Sequence, residues 1–321
     1  LPPAERISSP AAVDSGCDVV KFQKRDVPNL VTKEFMDSAD TRFPSFGRTY
    51  RQIREFVEFS ERELLELREY AHSKDIGFLC TPFDISSALM LERIGVEAYK
   101  SASHNLTHIP LLEHLAKQGK PIIASTGMST ADEVDRAVSI LQKYQCPFAI
   151  LHCVSSYPTR AELINLRGMD YLRERYGVPV GYSGHEDLAM GYKPTLAAVA
   201  RGAAIVERHI TLDTQMEGFD HKISVDPTSL KNMVRDIRLV DTMLGSGGKE
   251  LLPEEMVKRD QQRVSIVAAQ NLPASTLITQ ELLAFKGPGT GIAAYKINEL
   301  VGKTTKEFIP EDTLITFDML V

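Results

Sequence analysis

Two stretches, Gly181-Tyr-Ser-Gly-His-Glu186 and Ile205-Val-Glu-Arg-His-Ile210, decide how this chain is read. Each is an apolar run that breaks off in small polar and ionisable residues, and each delivers a histidine, His185 or His209, near its end. Runs of this kind read as strands of a parallel sheet, where working side chains collect at the carboxyl ends. A strand repeats every two residues, so Glu207 and His209 share one side. Two neutral imidazoles on adjacent strand ends are candidate ligands for a divalent metal.

The same pattern recurs upstream. Short β-branched or aromatic runs at 18–23, 77–81, 98–102, 121–125, 148–154, 178–182 and 204–209 alternate with helix-patterned segments, as in a parallel α/β fold. Ser60-Glu-Arg-Glu63 is a capping box opening a helix with Leu64, Leu67 and Tyr70/Ala71 on one face, and a second helix over 129–144 starts at Ser129/Thr130 ahead of Asp132 and Glu133. Seven strands fall one short of a (β/α)₈ barrel. Residues 1–16, with three prolines and two consecutive serines, read as neither an apolar strand nor a periodic helix. The expectation over 1–245 is therefore a TIM (β/α)₈-type barrel lacking its first βα unit, roughly 30 residues in length. Gly245-Ser-Gly-Gly248 and Leu252-Pro-Glu-Glu255 mark a linker over 246–262. In the small domain over 263–321, Leu272-Pro-Ala-Ser-Thr-Leu-Ile-Thr-Gln-Glu-Leu-Leu283 is repeated at Ile309-Pro-Glu-Asp-Thr-Leu-Ile-Thr-Phe-Asp-Met-Leu320, with Thr279 and Thr316 capping equivalent helical turns.

A net charge of −6 without a Lys/Arg-rich run argues against nucleic acid or an acidic membrane surface as partner. There is no apolar run of about 18 residues and no secretory pattern at Leu1-Pro-Pro-Ala-Glu-Arg6, which points to a soluble, cytoplasmic chain. The four cysteines, Cys17, Cys80, Cys146 and Cys153, show no CxxC spacing and read as structural.

The strand ends carry the chemistry. Lys21 and Gln23 share a face of the first strand, and later ends offer Thr81, then Lys100 and Ser103, then Ser125-Thr-Gly127, then Ser155-Ser-Tyr157. Lysines and hydroxyls converging on one mouth suit a phosphate, and Gly127 permits close backbone approach. His152, earlier in its strand, reads as a satisfied core histidine, and His72, His104, His108 and His114 as surface or capping residues.

Val20-Lys-Phe-Gln-Lys24, Phe46-Gly-Arg-Thr-Tyr50, Thr81-Pro-Phe83, Ser125-Thr-Gly-Met128, Leu151-His-Cys153, Ser156-Tyr-Pro158, Asn165-Leu-Arg167, Gly181–Glu186, Glu207-Arg-His-Ile-Thr211 and Gly287-Pro-Gly-Thr-Gly-Ile292 together resemble the sialic acid (N-acetylneuraminate or N-acetylneuraminate-9-phosphate) synthase family, from about residue 17 onward. The resemblance implies a C-terminal SAF (antifreeze-like, β-clip) domain. It also implies condensation of phosphoenolpyruvate with an N-acetylhexosamine, N-acetylmannosamine or its 6-phosphate, with release of phosphate. It places a Mn²⁺ or Mg²⁺ ion on His185 and His209, with Glu207 as an acid/base residue. Phosphoenolpyruvate groups fall on Lys21, Gln23, Thr81, Lys100, Ser103, Ser125, Ser155, Tyr157 and Ser183, and a sugar-hydroxyl contact on Asp220. The assembly it implies is a domain-swapped homodimer.

The chain departs from the family at several places. A family acidic residue falls on Asn105, a family arginine on Gly287 beside Lys286, and about three extra residues around Tyr192-Lys-Pro-Thr195 put Pro194 where it kinks or restarts a helix. Two alternatives stand beside the sialic acid synthase reading. One is a synthase of a related nonulosonic acid, of the legionaminic, pseudaminic or spore-coat polysaccharide type. The other is an inactive paralogue or fragment acting as a binding or structural subunit.

Overall fold

All seven expected strands form, within two residues of their expected bounds. The computed structural model describes residues 3–321, with side chains from Ser9 onward. The order begins α1 (Pro3–Asp14), β1 (Val19–Lys24), α2 (Lys33–Met36), α3 (Tyr50–Val57), α4 (Glu61–Ser73), β2 (Gly77–Pro82), α5 (Ile85–Ile94), β3 (Tyr99–Ser101) and α6 (Ile109–Lys117). It continues β4 (Ile122–Ser125), α7 (Ala131–Lys143), β5 (Phe148–Cys153), α8 (Ala161–Ile164), α9 (Gly168–Tyr176), β6 (Val180–Gly184), α10 (Lys193–Ala200), β7 (Val206–Arg208) and α11 (Pro227–Leu244). By contacts the chain divides into two compact units, Leu1–Gly245 and Ser246–Val321.

In the first unit β1 pairs with β2, and β3-β4-β5-β6-β7 form a second sheet, every pair being parallel. Lys21 of β1 lies 3.8 Å from Glu207 of β7, and Lys100 of β3 lies 3.7 Å from the same carboxylate. Strands from both ends of the order thus meet through their inward side chains, so the sheets curl into a half-barrel. Among the described residues β1 and β7 each have a ladder partner on one side.

The helices cover the outside. Leu64, Leu67 and Ala71 of α4 and Ala88, Leu91 and Ile94 of α5 are buried, along with Phe78 and Cys80 of β2, in one apolar core. Phe22 points outward from β1 onto Phe59 and Phe78, with ring centroids 5.6 Å apart in each case. Capping boxes start α4 at Ser60/Glu63 and α7 at Thr130/Glu133, as the residue spacing predicts. His152 is buried with Nε2 on the Ile164 carbonyl at 2.8 Å, the satisfied core histidine expected, and the His108 imidazole caps α6.

Residues 1–16 correct the expectation. They contain a helix, Pro3–Asp14, packed against β1, α4 and α11 and leading directly into β1. It escapes a search for an apolar stripe because the buried positions among its described side chains, Ser9 and Ala12, are small, and because Pro10 sits inside it at the cost of one backbone hydrogen bond. Pro194 behaves as expected: α10 begins at Lys193 with the proline in its first turn, where no backbone donor is needed.

In the second unit the stretch 246–262 is partly helical, since α12 (Met256–Gln262) follows a 3₁₀ turn at Pro253–Glu255. Beyond it β8 (Ser265–Ala268) pairs antiparallel with β9 (Leu283–Lys286). The repeat is visible as structure. Ser275 and Asp312 both take left-handed backbone, and 3₁₀ turns follow Thr279 and Thr316 at Gln280–Leu282 and Phe317–Met319. Neither threonine makes a side-chain cap bond. An antiparallel bridge joins the two copies at Leu272 and Ile309. No helix among the described residues is long and apolar enough to cross a membrane.

One buried ion pair fixes the outer side of β6 and β7. Gly184 sits opposite Arg208 in the ladder, and the side chains of Glu186 and Arg208 are 0% and 2% exposed. Glu186 Oε1 accepts from Arg208 Nη1 and from Thr195 Oγ1 at 3.3 Å, while Oε2 accepts from the Tyr182 hydroxyl at 3.0 Å. Gly184 is required here, because a Cβ at that position would lie 2.3 Å from Glu186 Oε2. Removing one member of such a pair leaves the other charge buried and unmatched. Arg208→Met is therefore expected to lower stability by about 3–5 kcal/mol in urea unfolding, and a loss under about 1 kcal/mol would show that the pair contributes little. Leu91→Ala, which empties a fully buried site, is expected to cost about 2–5 kcal/mol in the same assay.

Candidate active site

The inward faces of β1, β3, β6 and β7 bring the expected residues to one carboxylate. Strand alternation puts Lys21 and Gln23 on the inner face of β1, Ser183 and His185 on the inner side of β6, and Glu207 and His209 on the inner side of β7. Glu207 lies between Lys21 Nζ at 3.8 Å and Lys100 Nζ at 3.7 Å, and accepts from Ser183 Oγ at 3.4 Å. Burial alone would raise its pKa, but Lys100 and Lys21 outweigh that and hold it at about 2. Lys100, 2% exposed, donates to Ser125 Oγ at 2.7 Å and to its neighbour's carbonyl, that of Ser101, at 2.9 Å. Burial lowers the Lys100 pKa against the opposing pull of Glu207.

Next to the lysines is a pocket floor of hydroxyls. Gly127 N donates to Ser103 Oγ at 2.9 Å, and a Cβ on Gly127 would fall 2.3 Å from Ser155 Oγ and 2.8 Å from Ser103 Oγ. Glycine is thus the residue that lets this backbone come so close. The Oγ1 of Thr81 and the Oγ of Ser155 are buried without a hydrogen-bond partner. Unsatisfied buried hydroxyls beside two lysines are what a site for an anionic ligand leaves open.

The histidines form the other wall. The rings of His185 and His209 are 5.2 Å apart, and Tyr157 packs 4.3 Å from His185 while remaining 52% exposed. Burial pushes both imidazoles down to about 4, with Lys21 adding to the effect at His209, so they are neutral near pH 7. His185 Nδ1 lies 3.0 Å from the Val154 carbonyl, which makes it the protonated nitrogen and leaves Nε2 with a free lone pair. His209 Nδ1 is 3.6 Å from Asp220 Oδ2. Among the described residues no cluster of three or more His, Cys, Asp or Glu is arranged to hold a metal. The chain offers two neutral imidazoles, and a divalent ion bound there would complete its shell with substrate and water oxygens, as open catalytic sites do.

Gln23 and the residues at two departures from the family pattern have partners within the chain. Gln23 Oε1 accepts from Arg25 Nη2, and Asn105, at the place of a family acid, donates from Nδ2 to the Phe83 carbonyl at 3.0 Å while its Oδ1 has no partner. Lys286, beside Gly287, pairs with Asp312. Inspection of strand ends missed Arg25 and Arg54, because Arg25 follows the last residue of β1 and Arg54 lies on α3, away from any strand. It also missed Glu186 and Arg208. Their signal is opposite charge at outward positions of adjacent strands, each one residue from a histidine.

The mouth is roofed by aromatic residues. Ser45 bonds the Glu217 carboxylate through its hydroxyl at 2.6 Å and its backbone N–H at 3.2 Å, joining the loop before α3 to the loop after β7. Phe219 packs on Phe43 at 4.5 Å and Arg54 stacks over Phe219 at 4.2 Å, directly beside Asp220.

The NeuB family matches residues 10–249 and the SAF domain matches residues 263–321. Human N-acetylneuraminate-9-phosphate synthase is 34% identical over 311 residues, covering 96% of this chain and 86% of its own length. The N,N'-diacetyllegionaminic acid synthase of Campylobacter jejuni is 34% identical over 95% of this chain and 91% of its own. Among solved structures, N-acetylneuraminic acid (sialic acid) synthetase from Leptospira borgpetersenii in complex with citrate shares 35% identity with a TM-score of 0.68, covering 78% of this chain and 82% of that one. The chain therefore belongs to the NeuB family of sialic acid and related nonulosonic acid synthases, and it carries a SAF domain.

Proposed function

We propose that this chain condenses phosphoenolpyruvate with the open-chain aldehyde of an N-acetylhexosamine, N-acetylmannosamine or its 6-phosphate, to give a nine-carbon sialic acid and inorganic phosphate. The observation that carries this is the Glu207 carboxylate clasped by Lys21 and Lys100, facing two neutral histidines across one mouth. One carboxylate against two ammonium groups leaves a buried excess of positive charge, which suits an enol phosphate carrying a carboxylate of its own.

In this reading Lys21, Lys100, Ser125 and the unpaired hydroxyls of Thr81 and Ser155 hold phosphoenolpyruvate with its C3 toward the histidines. His185 and His209 would hold a Mn²⁺ or Mg²⁺ ion, whose chemistry would be to polarise the acceptor carbonyl. C3 then forms the new carbon–carbon bond to the aldehyde carbon. Water adds to C2, passing one proton by way of Glu207 to the former aldehyde oxygen, now an alkoxide, and the other to the phosphate that departs as the C2–O bond breaks. Glu207 is placed to take the proton of that water, because an anionic substrate draws on the same lysines that keep its pKa low and so restores some of its basicity. Asp220, beside His209, is placed to receive sugar hydroxyls. We take the curled half-barrel as the greater part of an eight-stranded barrel, with the remaining strand position between β7 and β1.

The legionaminic-type alternative keeps the same phosphoenolpyruvate groups and differs in the sugar. It is favoured by the legionaminic acid synthase relative, whose identity equals that of the human enzyme. Phosphate release from phosphoenolpyruvate should require both a divalent ion and an N-acetylmannosamine-type acceptor. Activity with a diacetylated amino sugar alone would select the alternative, and release without any acceptor would refute a condensation. Chelation by EDTA should abolish turnover, with Mn²⁺ restoring it. His209→Ala is expected to lower kcat/KM by at least about 10³-fold while leaving the unfolding midpoint nearly unchanged, since metal polarisation contributes several kcal/mol to the barrier. Activity within tenfold of the parent would remove His209 from the ligand set.

A further inference from the structure

Two guanidinium groups at the mouth have no carboxylate partner. Arg25 lies with its guanidinium 3.9 Å from the face of Phe83 and one edge on Gln23 Oε1. Arg54 is sandwiched by aromatic rings, 4.2 Å from Phe219 and 5.1 Å from Tyr50, and its Nε is buried with no acceptor. Among the described residues neither forms an ion pair. The nearest candidate, Glu58, is already occupied by Lys24 Nζ at 3.0 Å and by the backbone N–H of Arg25 at 2.8 Å. Burial, and after it the charge of Arg54, pushes Arg25 down to about 10. Two like charges that are partly buried and lack a counter-ion are costly unless an anion joins them. Aromatic stacking covers the flat faces of the guanidinium groups and leaves N–H edges for a planar, forked contact of the kind phosphate accepts.

Their position says which substrate carries that anion. Asp220, 3.6 Å from His209, directly follows Phe219, the ring that Arg54 covers at 4.2 Å. A sugar with its aldehyde at the histidines and its hydroxyls on Asp220 extends toward the arginines. Phosphoenolpyruvate is matched to Lys21, Lys100 and the hydroxyls, and of the two arginines only Arg25 borders its groups, through Gln23. We propose that Arg25 and Arg54 form an anion subsite that receives the phosphate of a phosphorylated acceptor, so that this chain acts on the sugar 6-phosphate. The proposal rests on the synthase reading above and narrows its acceptor.

The test compares N-acetylmannosamine 6-phosphate with N-acetylmannosamine in the parent protein, Arg54→Gln and Arg54→Lys. The parent should favour the phosphate ester. Arg54→Gln should raise KM for the ester on the order of 30-fold, the size of a lost charge-assisted contact, with kcat within about threefold and KM for phosphoenolpyruvate unchanged. Arg54→Lys should recover part of that loss. Equal use of both acceptors by the parent, or an equal loss for both in Arg54→Gln, would overturn the proposal and leave Arg54 as an aromatic-stacking residue only. If neither sugar is turned over, the synthase reading fails separately, and calorimetry still decides the subsite. The ester should bind the parent and bind Arg54→Gln at least about tenfold more weakly. No binding, or unchanged binding, would overturn it. Inorganic phosphate binding as tightly as the ester would overturn the assignment to the acceptor.

Discussion

The site depends on one electrostatic arrangement, a single glutamate between two lysines at the centre of a curled sheet. Glu207 neutralises only one of Lys21 and Lys100, and the lysines in turn keep it ionised where burial alone would protonate it. A group so constrained is sensitive to whatever else enters the mouth. An anion that takes over part of either lysine's charge changes the basicity of the carboxylate, so substrate binding and proton transfer are coupled through the same contacts. Burial keeps both histidines unprotonated and available as ligands, and at His209 the Lys21 charge adds to it.

That arrangement is held from outside by a second, fully buried pair of opposite polarity. Glu186 and Arg208 occupy the outward positions next to the two histidines, tied by Tyr182 and by Thr195 of α10. Inward and outward side chains alternate along β6 and β7, so fixing one set fixes the other. Gly184 makes space for one carboxylate behind the sheet, and Gly127 makes space for two hydroxyls in front of it.

Much of this was legible in the residues. The β-branched runs located the seven strands of the first unit, though not β8 and β9, and the period of two put Lys21 with Gln23 and Glu207 with His209 on shared faces, because both signals are local. The helix at Pro3–Asp14 was not legible: among its described side chains the buried ones are Ser9 and Ala12, and its interior proline argues against a helix. The partial structure of 246–262 was masked by glycine and proline at its start. Convergence was legible only as a possibility. The sequence shows that Lys21, Lys100 and Glu207 each sit near a strand end, while their meeting depends on the curl, a property of the whole sheet. Arg54 was invisible for a related reason, since a helix residue reaches the mouth only through the loop that returns past Phe219.

The most direct measurement is a calorimetric titration of phosphoenolpyruvate into the parent protein and into Lys100→Met. If the two lysines and their shared carboxylate form the enol-phosphate site, the parent binds one molecule per chain, and the variant binds at least about 30-fold more weakly, the cost of losing a charged hydrogen-bond donor in a buried site. Equal binding by both proteins would contradict the account, because it would place the substrate somewhere other than between these strands.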